Sequence, residues 1–66
     1  MTKRQSECLA FIKQFWEDHG YAPKFEDIRI ALGLKSKSGV HRIIHGLRER
    51  GLVEFTPHRR QTVRPI

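Results

Sequence analysis

The stretch that decides the fold runs from Leu34 to Gly51 and reads LKSKSGVHRIIHGLRERG. A helix that begins near Ser36 or Lys37 would place the apolar side chains of this stretch on one stripe, namely Val40, Ile43, Ile44 and Leu47. Its other face would carry small, hydrogen-bonding or basic residues: Ser38, Gly39, His41, Arg42, His45 and Gly46. Because such a face is flat and rich in donors, we expect it to lie against another molecule.

The charge of the chain is concentrated in its second half. Residues 1–34 carry five basic and five acidic side chains, whereas residues 35–66 carry eight basic and two acidic ones, which accounts for the whole net charge of +6. A polyanion explains this asymmetry better than a membrane surface does, since the apolar stripes are needed for a core. The sequence therefore predicts that the helix lies in the major groove of DNA.

Length and composition limit the other possibilities. A chain of 66 residues has room for a single small domain, which we place at residues 1–66. Cys8 is the one cysteine, so the chain forms no internal disulfide. The sequence contains neither a signal-peptide pattern nor an apolar stretch of transmembrane length, and we expect a soluble cytoplasmic domain without a cofactor.

Two further helices are predicted before the opening stretch. The first should span about 3–19, from a capping box of Thr2 and Gln5 to a stop at Gly20, with core residues Cys8, Leu9, Phe11, Ile12, Phe15 and Trp16. Phe15 and Trp16 are adjacent, so both cannot lie at the centre of one stripe. The second should span about 25–32 and bury Phe25, Ile28, Ala31 and Leu32, although Lys24 replaces the usual capping hydroxyl. The third should span about 37–50, and Leu34 should enter the core from the turn before it.

After Gly51 the apolar pattern changes to that of strands. Residues 52–55 and 62–65 are predicted to pair as a hairpin around the segment TPHRRQ at 56–61. A hairpin of this size is marginal alone and must pack on the helices. The predicted fold class is therefore mainly α with a small β-hairpin, a three-helix winged helix-turn-helix whose wing lies around His58 to Gln61.

In this order and spacing, the chain resembles the N-terminal DNA-binding domain of LexA, the repressor of the bacterial DNA-damage (SOS) response. The residues that carry the resemblance are Thr2 with Gln5, Gly20-x-x-Pro23, Ile28-x-x-Ala31-Leu32-Gly33-Leu34, Ser36 and Leu47-x-x-x-Gly51. The stretch from Ser36 to Arg42 is similar to the alphaproteobacterial branch. The resemblance implies a transcriptional repressor that binds double-stranded DNA in the cytoplasm, at the bacterial nucleoid. LexA proteins continue into a self-cleaving, dimerising domain that this sequence lacks, so we expect an excised domain or a free-standing protein.

The resemblance implies which residues contact DNA. They are Ser36, Ser38, Gly39, His41 and Arg42, and we add Lys37, His45, Arg59 and Arg60 as candidates. Ser36 should cap the helix and meet a phosphate, whereas Arg42 should bind guanine O6 and N7 together. Gly39 would let the backbone approach the groove closely. Arg59 and Arg60 on the wing should contact phosphates or enter the minor groove.

Other functions are less well supported. His41 and His45 have an i, i+4 spacing that can hold zinc or nickel, but no third ligand is evident, so we expect no metal site. A helix surface offers Ser36, Ser38 and His41 no pocket or oxyanion site, and we expect no enzyme. A winged-helix module for protein–protein interaction stays open as an alternative. One such domain reads only a few base pairs, so we expect an isolated monomer that pairs on two half-sites.

Overall fold

The computed structural model of the chain describes residues 2–56 and 63–66. The elements follow in the order α1 (Lys3–His19), α2 (Phe25–Leu32), α3 (Lys37–Glu49), β1 (Val53–Glu54) and β2 (Arg64–Pro65). The two strands pair antiparallel, with Val53 opposite Pro65 and Glu54 opposite Arg64. The predicted class, three helices followed by a small hairpin, is confirmed.

Local signals in the sequence set both ends of α1. The Thr2 hydroxyl accepts a hydrogen bond from the backbone N–H of Gln5 at 3.1 Å. In return, the side-chain oxygen of Gln5 accepts one from the backbone N–H of Thr2 at 3.0 Å. This reciprocal pair is the predicted capping box. At the other end Gly20 adopts a φ of 77°, and its N–H donates to the Trp16 carbonyl at 2.9 Å. A left-handed residue at this point is favourable only for glycine, which is why the helix stops there.

The start of α2 lacks a side-chain cap, as the lysine at its N-cap suggested. Lys24 makes no capping hydrogen bond through its side chain, but its N–H donates to Asp27 Oδ2 at 3.1 Å. Asp27 therefore supplies one half of a capping box, and together with Glu26 it places negative charge at the positive end of the helix. These carboxylates compensate in part for the missing hydroxyl.

The end of α3 and the hairpin are shorter than predicted. The helix ends at Glu49 rather than at residue 50, and Gly51 follows with a φ of 74° that turns the chain toward β1. Each strand has two residues instead of four. The N–H of Ile66 still donates to the Leu52 carbonyl at 3.0 Å, so the pairing extends a little beyond the strands. Residue 62, the predicted start of the second strand, lies outside the described residues.

All three helices and β1 contribute to one hydrophobic core, together with residues that precede α2 and β2. Its buried members are Cys8, Leu9, Ile12, Ala22, Ile28, Leu32, Val40, Ile44, Leu47, Val53 and Val63. Leu34 packs against this cluster from the turn before α3, which confirms its predicted place. Burial raises the pKa of the Cys8 thiol to about 11, so the thiol stays protonated at neutral pH.

Two predicted core positions, one on α1 and one on α2, require correction. Ala31 is exposed, because the buried stripe of α2 runs through Ile28 and Leu32 and leaves Ala31 facing an open groove beside α1. Phe15 is half-buried and does not belong to the core cluster, whereas Trp16, also half-buried, packs against it. Trp16 donates from its indole N–H to the Val63 carbonyl at 3.1 Å and covers the entry to β2.

The helices of the described ranges differ from membrane-spanning segments. Not one of them is both long enough and apolar enough to cross a lipid bilayer.

Candidate nucleic-acid interface

A network around Arg29 connects α2 to the turn that precedes α3. This half-buried guanidinium donates to Glu26 at 2.7 Å and to the Leu34 carbonyl at 3.1 Å, so it ties α2 to the turn that precedes α3. The hydrogen bond from Arg29, aided by the charges of Arg29 and Lys37, holds the pKa of the Glu26 carboxyl below its ordinary value. We assigned Arg29 no role from sequence, although its i, i+3 spacing from Glu26 was a usable signal.

Lys37, a predicted DNA contact, lies at the first position of α3, and its side chain extends to Glu26 of α2. Its ammonium is 3.7 Å from Glu26, and its side chain is 64% exposed. An exposed ion pair of this kind contributes little to stability. The side chain can therefore exchange Glu26 for a phosphate with little loss.

Ser36 occupies the predicted N-cap of α3, but its hydroxyl does not cap the helix. It makes no side-chain capping bond and pairs instead with the Ser38 hydroxyl at 2.7 Å. The prediction that Ser36 caps the helix through its side chain is wrong, because the hydroxyl is turned toward Ser38. The amide groups of the first turn are thereby left without a side-chain acceptor from Ser36, and a helix N-terminus in this state attracts anions.

Two glycines of α3 differ in what surrounds them. A Cβ at Gly39 would lie 3.6 Å from Leu34, an ordinary van der Waals distance. A Cβ at Gly46 would lie only 2.4 Å from the Gln5 side-chain nitrogen. Gly46 therefore allows close approach of the α1 capping box and does not belong to the surface we assigned to it.

Ser38 and Arg42 present their side chains to solvent from the first turns of α3. Both are exposed. Within residues 2–56 and 63–66, the side chain of Arg42 has no hydrogen bond, ion pair or ring contact. With respect to the described residues, this guanidinium is available to an external acceptor without the loss of an internal hydrogen bond or ion pair.

His41 and His45 lie one helical turn apart on α3 and form a hydrogen-bonded pair. Their Nε2 atoms are 2.8 Å apart, and the two ring centroids are 4.3 Å apart. His41 is exposed, whereas His45 is half-buried with its ring 5.3 Å from that of Phe55. The spacing placed these histidines on one face, and the structure brings their nitrogens into contact.

Phe55 attaches the base of the hairpin to α3, a role that no sequence signal indicated. Its ring lies against His45, and the Arg48 guanidinium sits 5.1 Å from its centroid. Arg48 thus stacks on the protein rather than projecting from it. The predicted wing contacts Arg59 and Arg60 lie outside the described residues.

Comparison with known proteins agrees with this arrangement. The pattern of the family described as LexA DNA binding domain matches residues 1–62. The chain belongs to the LexA DNA-binding domain family. The resemblance that the sequence suggested is therefore confirmed, including its alphaproteobacterial character.

Similar proteins place the match at one end of longer chains. A LexA repressor of Novosphingobium aromaticivorans is 51% identical over 59 residues, which are 89% of this chain and 25% of that repressor. A LexA repressor of Rhodospirillum rubrum is 49% identical over 59 residues, 89% of this chain and 24% of its own length. A LexA repressor of Zymomonas mobilis is 41% identical over 66 residues, which are 100% of this chain and 30% of that repressor. The chain thus spans about a quarter of the length of the relatives it matches.

Proposed function

We propose that this chain binds double-stranded DNA sequence-specifically as the DNA-binding part of a LexA-like transcriptional repressor, with α3 in the major groove. One observation carries the proposal. Arg42, in the second turn of α3 and in the basic half of the chain, is exposed and its side chain has no partner among residues 2–56 and 63–66, in a member of a DNA-binding domain family. Its guanidinium is suited to guanine O6 and N7, a contact that discriminates by about 1–3 kcal/mol.

The other candidate residues would divide between base edges and backbone. Ser38 and His41 are exposed beside Arg42 and can donate to or accept from bases. Ser36 and Lys37 stand at the helix N-terminus, where a phosphate is favoured. His45 is half-buried against Phe55, so we assign it a supporting contact at the groove edge. Arg59 and Arg60 of the wing would add contacts to phosphates or the minor groove.

The biological setting follows from the relatives that carry the name LexA repressor. We infer that the chain acts in the bacterial cytoplasm on genes of the SOS response, without catalysis of its own. One domain covers only a few base pairs, so repression would need two copies on paired half-sites. We expect a monomer in solution that pairs only on DNA.

Selection of bound duplexes from a random DNA pool tests this proposal. We expect recovered sequences that contain a repeated short motif at fixed spacing, with a G·C pair at the position that Arg42 reads. A pool that stays unenriched after several rounds at low salt would contradict sequence-specific binding. The wild-type chain and Arg42→Ala should be selected in parallel, because the variant should lose the G·C preference first.

A further inference from the structure

We propose that His41 and His45 form a two-histidine chelating site for a borderline divalent transition metal such as Zn²⁺, and that metal and DNA exclude one another at α3. The missing third ligand argued against a metal site in the sequence, but the contact between the two imidazole nitrogens supports a site with only two protein ligands. This part of the proposal stands on the geometry of the pair alone. The exclusion rests on the proposed function, because it requires the histidine face of α3 to enter the groove.

The two ligand atoms are already close to chelating distance. The Nε2 atoms of His41 and His45 are 2.8 Å apart, one helical turn from each other. Two nitrogens bound to one tetrahedral zinc at ~2.0–2.1 Å lie about 3.4 Å apart. The rings need to separate by only about half an ångström for a single ion to replace their mutual hydrogen bond.

An aromatic ring lies beside each of the two imidazoles. Phe55 meets the His45 ring edge-on at 5.3 Å and 89°, and Phe25 of α2 lies 6.0 Å from the His41 ring. Both imidazoles are thus supported by elements other than α3. Little ordering of the side chains remains for metal binding to impose, which favours chelation.

The proposed site would have open coordination positions, and its imidazole ligands would favour some metal ions over others. Among the described residues, no group of three or more histidine, cysteine or carboxylate side chains is arranged around a possible metal position. As far as the described residues go, the two imidazoles occupy two positions of a tetrahedral shell and leave the other two open to water. Neutral imidazole nitrogens suit Zn²⁺, Ni²⁺ and Cu²⁺ rather than Mg²⁺ or Ca²⁺, and the basic surroundings disfavour any cation held by charge alone.

Occupancy by metal would change the surface that α3 presents. The ion would take both Nε2 atoms and add itself and its bound water to the helix beside Arg42. The face would then be bulkier and would lack two of its hydrogen-bonding nitrogens. We therefore expect zinc and duplex DNA to compete.

Calorimetric titration with ZnCl₂ alone tests the chelate without DNA. We expect one equivalent to bind the wild-type chain, and His41→Asn or His45→Asn each to weaken binding by about tenfold or more. His19→Asn removes an exposed histidine of α1 and should stay within about twofold of wild type. MgCl₂ should produce no such binding. Wild-type affinity in His41→Asn, or equal binding of Mg²⁺, would overturn the metal site.

Circular dichroism should first confirm that each variant is folded. His45 packs on Phe55, whereas His41 is exposed, so His41→Asn decides the matter if His45→Asn unfolds. As a second readout, zinc should shift the imidazole Nε2 resonances of both residues in ¹⁵N NMR spectra. A shift at only one of them would also overturn the chelate.

A DNA titration at saturating Zn²⁺ tests the exclusion. We expect the affinity of the wild-type chain for its selected duplex to fall about tenfold or more and to recover when a chelator is added. Unchanged or increased affinity would overturn the exclusion. Failure to bind DNA in metal-free buffer would contradict the proposed function instead, and the zinc titration without DNA would be unaffected.

Discussion

Arg42 is the candidate DNA contact to which we assign direct reading of a base, guanine. It is exposed and unpaired in the described part of the chain, whereas Arg48, six residues later on the same helix, stacks on Phe55. The two arginines have equal charge and different surroundings. They therefore allow base reading to be separated from general attraction to DNA.

We expect Arg42→Ala to reduce discrimination between the preferred duplex and one altered at a single G·C pair by about 1–3 kcal/mol. Arg48→Ala should keep that discrimination and lower the free energy of unfolding by about 0.5–1 kcal/mol through loss of its ring contact. Fluorescence anisotropy with the two duplexes and urea denaturation measure these effects. Equal losses of discrimination in both variants would contradict the assignment.

Gly39 and Gly46 allow a matched test of why α3 contains glycine. A methyl group fits at Gly39, so Gly39→Ala should stabilise the fold by about 0.5 kcal/mol through helix propensity and weaken DNA binding if the backbone approaches the groove. At Gly46 the added methyl must displace Gln5 from its capping box, so the gain in stability should be smaller. DNA affinity should be unaffected at Gly46. Thermal unfolding and DNA titration of both variants check this order.

Glu26 makes the free energy of unfolding depend on pH in the acidic range. Its pKa is lowered in the folded state from the ordinary value of 4.5, chiefly by the hydrogen bond from Arg29, so its contribution is complete above pH 4.5 and is lost as pH falls below it. We expect Glu26→Gln to flatten the acid limb of the stability profile relative to wild type. Glu49→Gln removes an exposed carboxyl of α3 whose side chain has no partner among the described residues, and it serves as the control for the loss of one carboxyl group. Urea denaturation between pH 3 and 7 would show whether the two profiles differ.

At the scale of elements, local chemistry predicted the helices well. The Thr2–Gln5 box and the left-handed glycines Gly20 and Gly33 each act within a few residues, so their effects could be anticipated from sequence alone. The partner of the Ser36 hydroxyl could not be anticipated from sequence. Side-chain rotation decides whether this hydroxyl caps α3 or forms a hydrogen bond with the Ser38 hydroxyl. The length of the strands also escaped prediction, since strand pairing joins residues that are distant in the sequence.

The uncapped start of α2 can be repaired. Lys24 is exposed, has extended backbone angles and already receives the Asp27 half of a capping box. We expect Lys24→Ser to raise the free energy of unfolding by about 1 kcal/mol by adding the missing acceptor. Lys24→Ala removes the same charge without adding a hydroxyl and should give no such gain. Equal stability of the two variants in urea would contradict the capping argument.

At the scale of the whole molecule, the apolar pattern predicted most of the core and misplaced its margins. The residues at the centre of each stripe, such as Ile12, Ile28 and Ile44, are fully buried. Ala31 lies at the edge of its stripe, and its exposure depends on the angle between α1 and α2. The same limit applies to the candidate interface: periodicity placed His41 and His45 on one face, but their contact and the role of Phe55 required the folded chain.

The central claim is that the basic half of the chain binds duplex DNA through α3. Its most direct test is a titration of the wild-type chain with the selected duplex at a series of salt concentrations. If about four phosphates are neutralised per domain, the logarithm of the binding constant should fall with the logarithm of salt at a slope of about −3.6. Binding that is insensitive to salt, or absent at low salt, would contradict the claim and favour a protein-docking role for this fold.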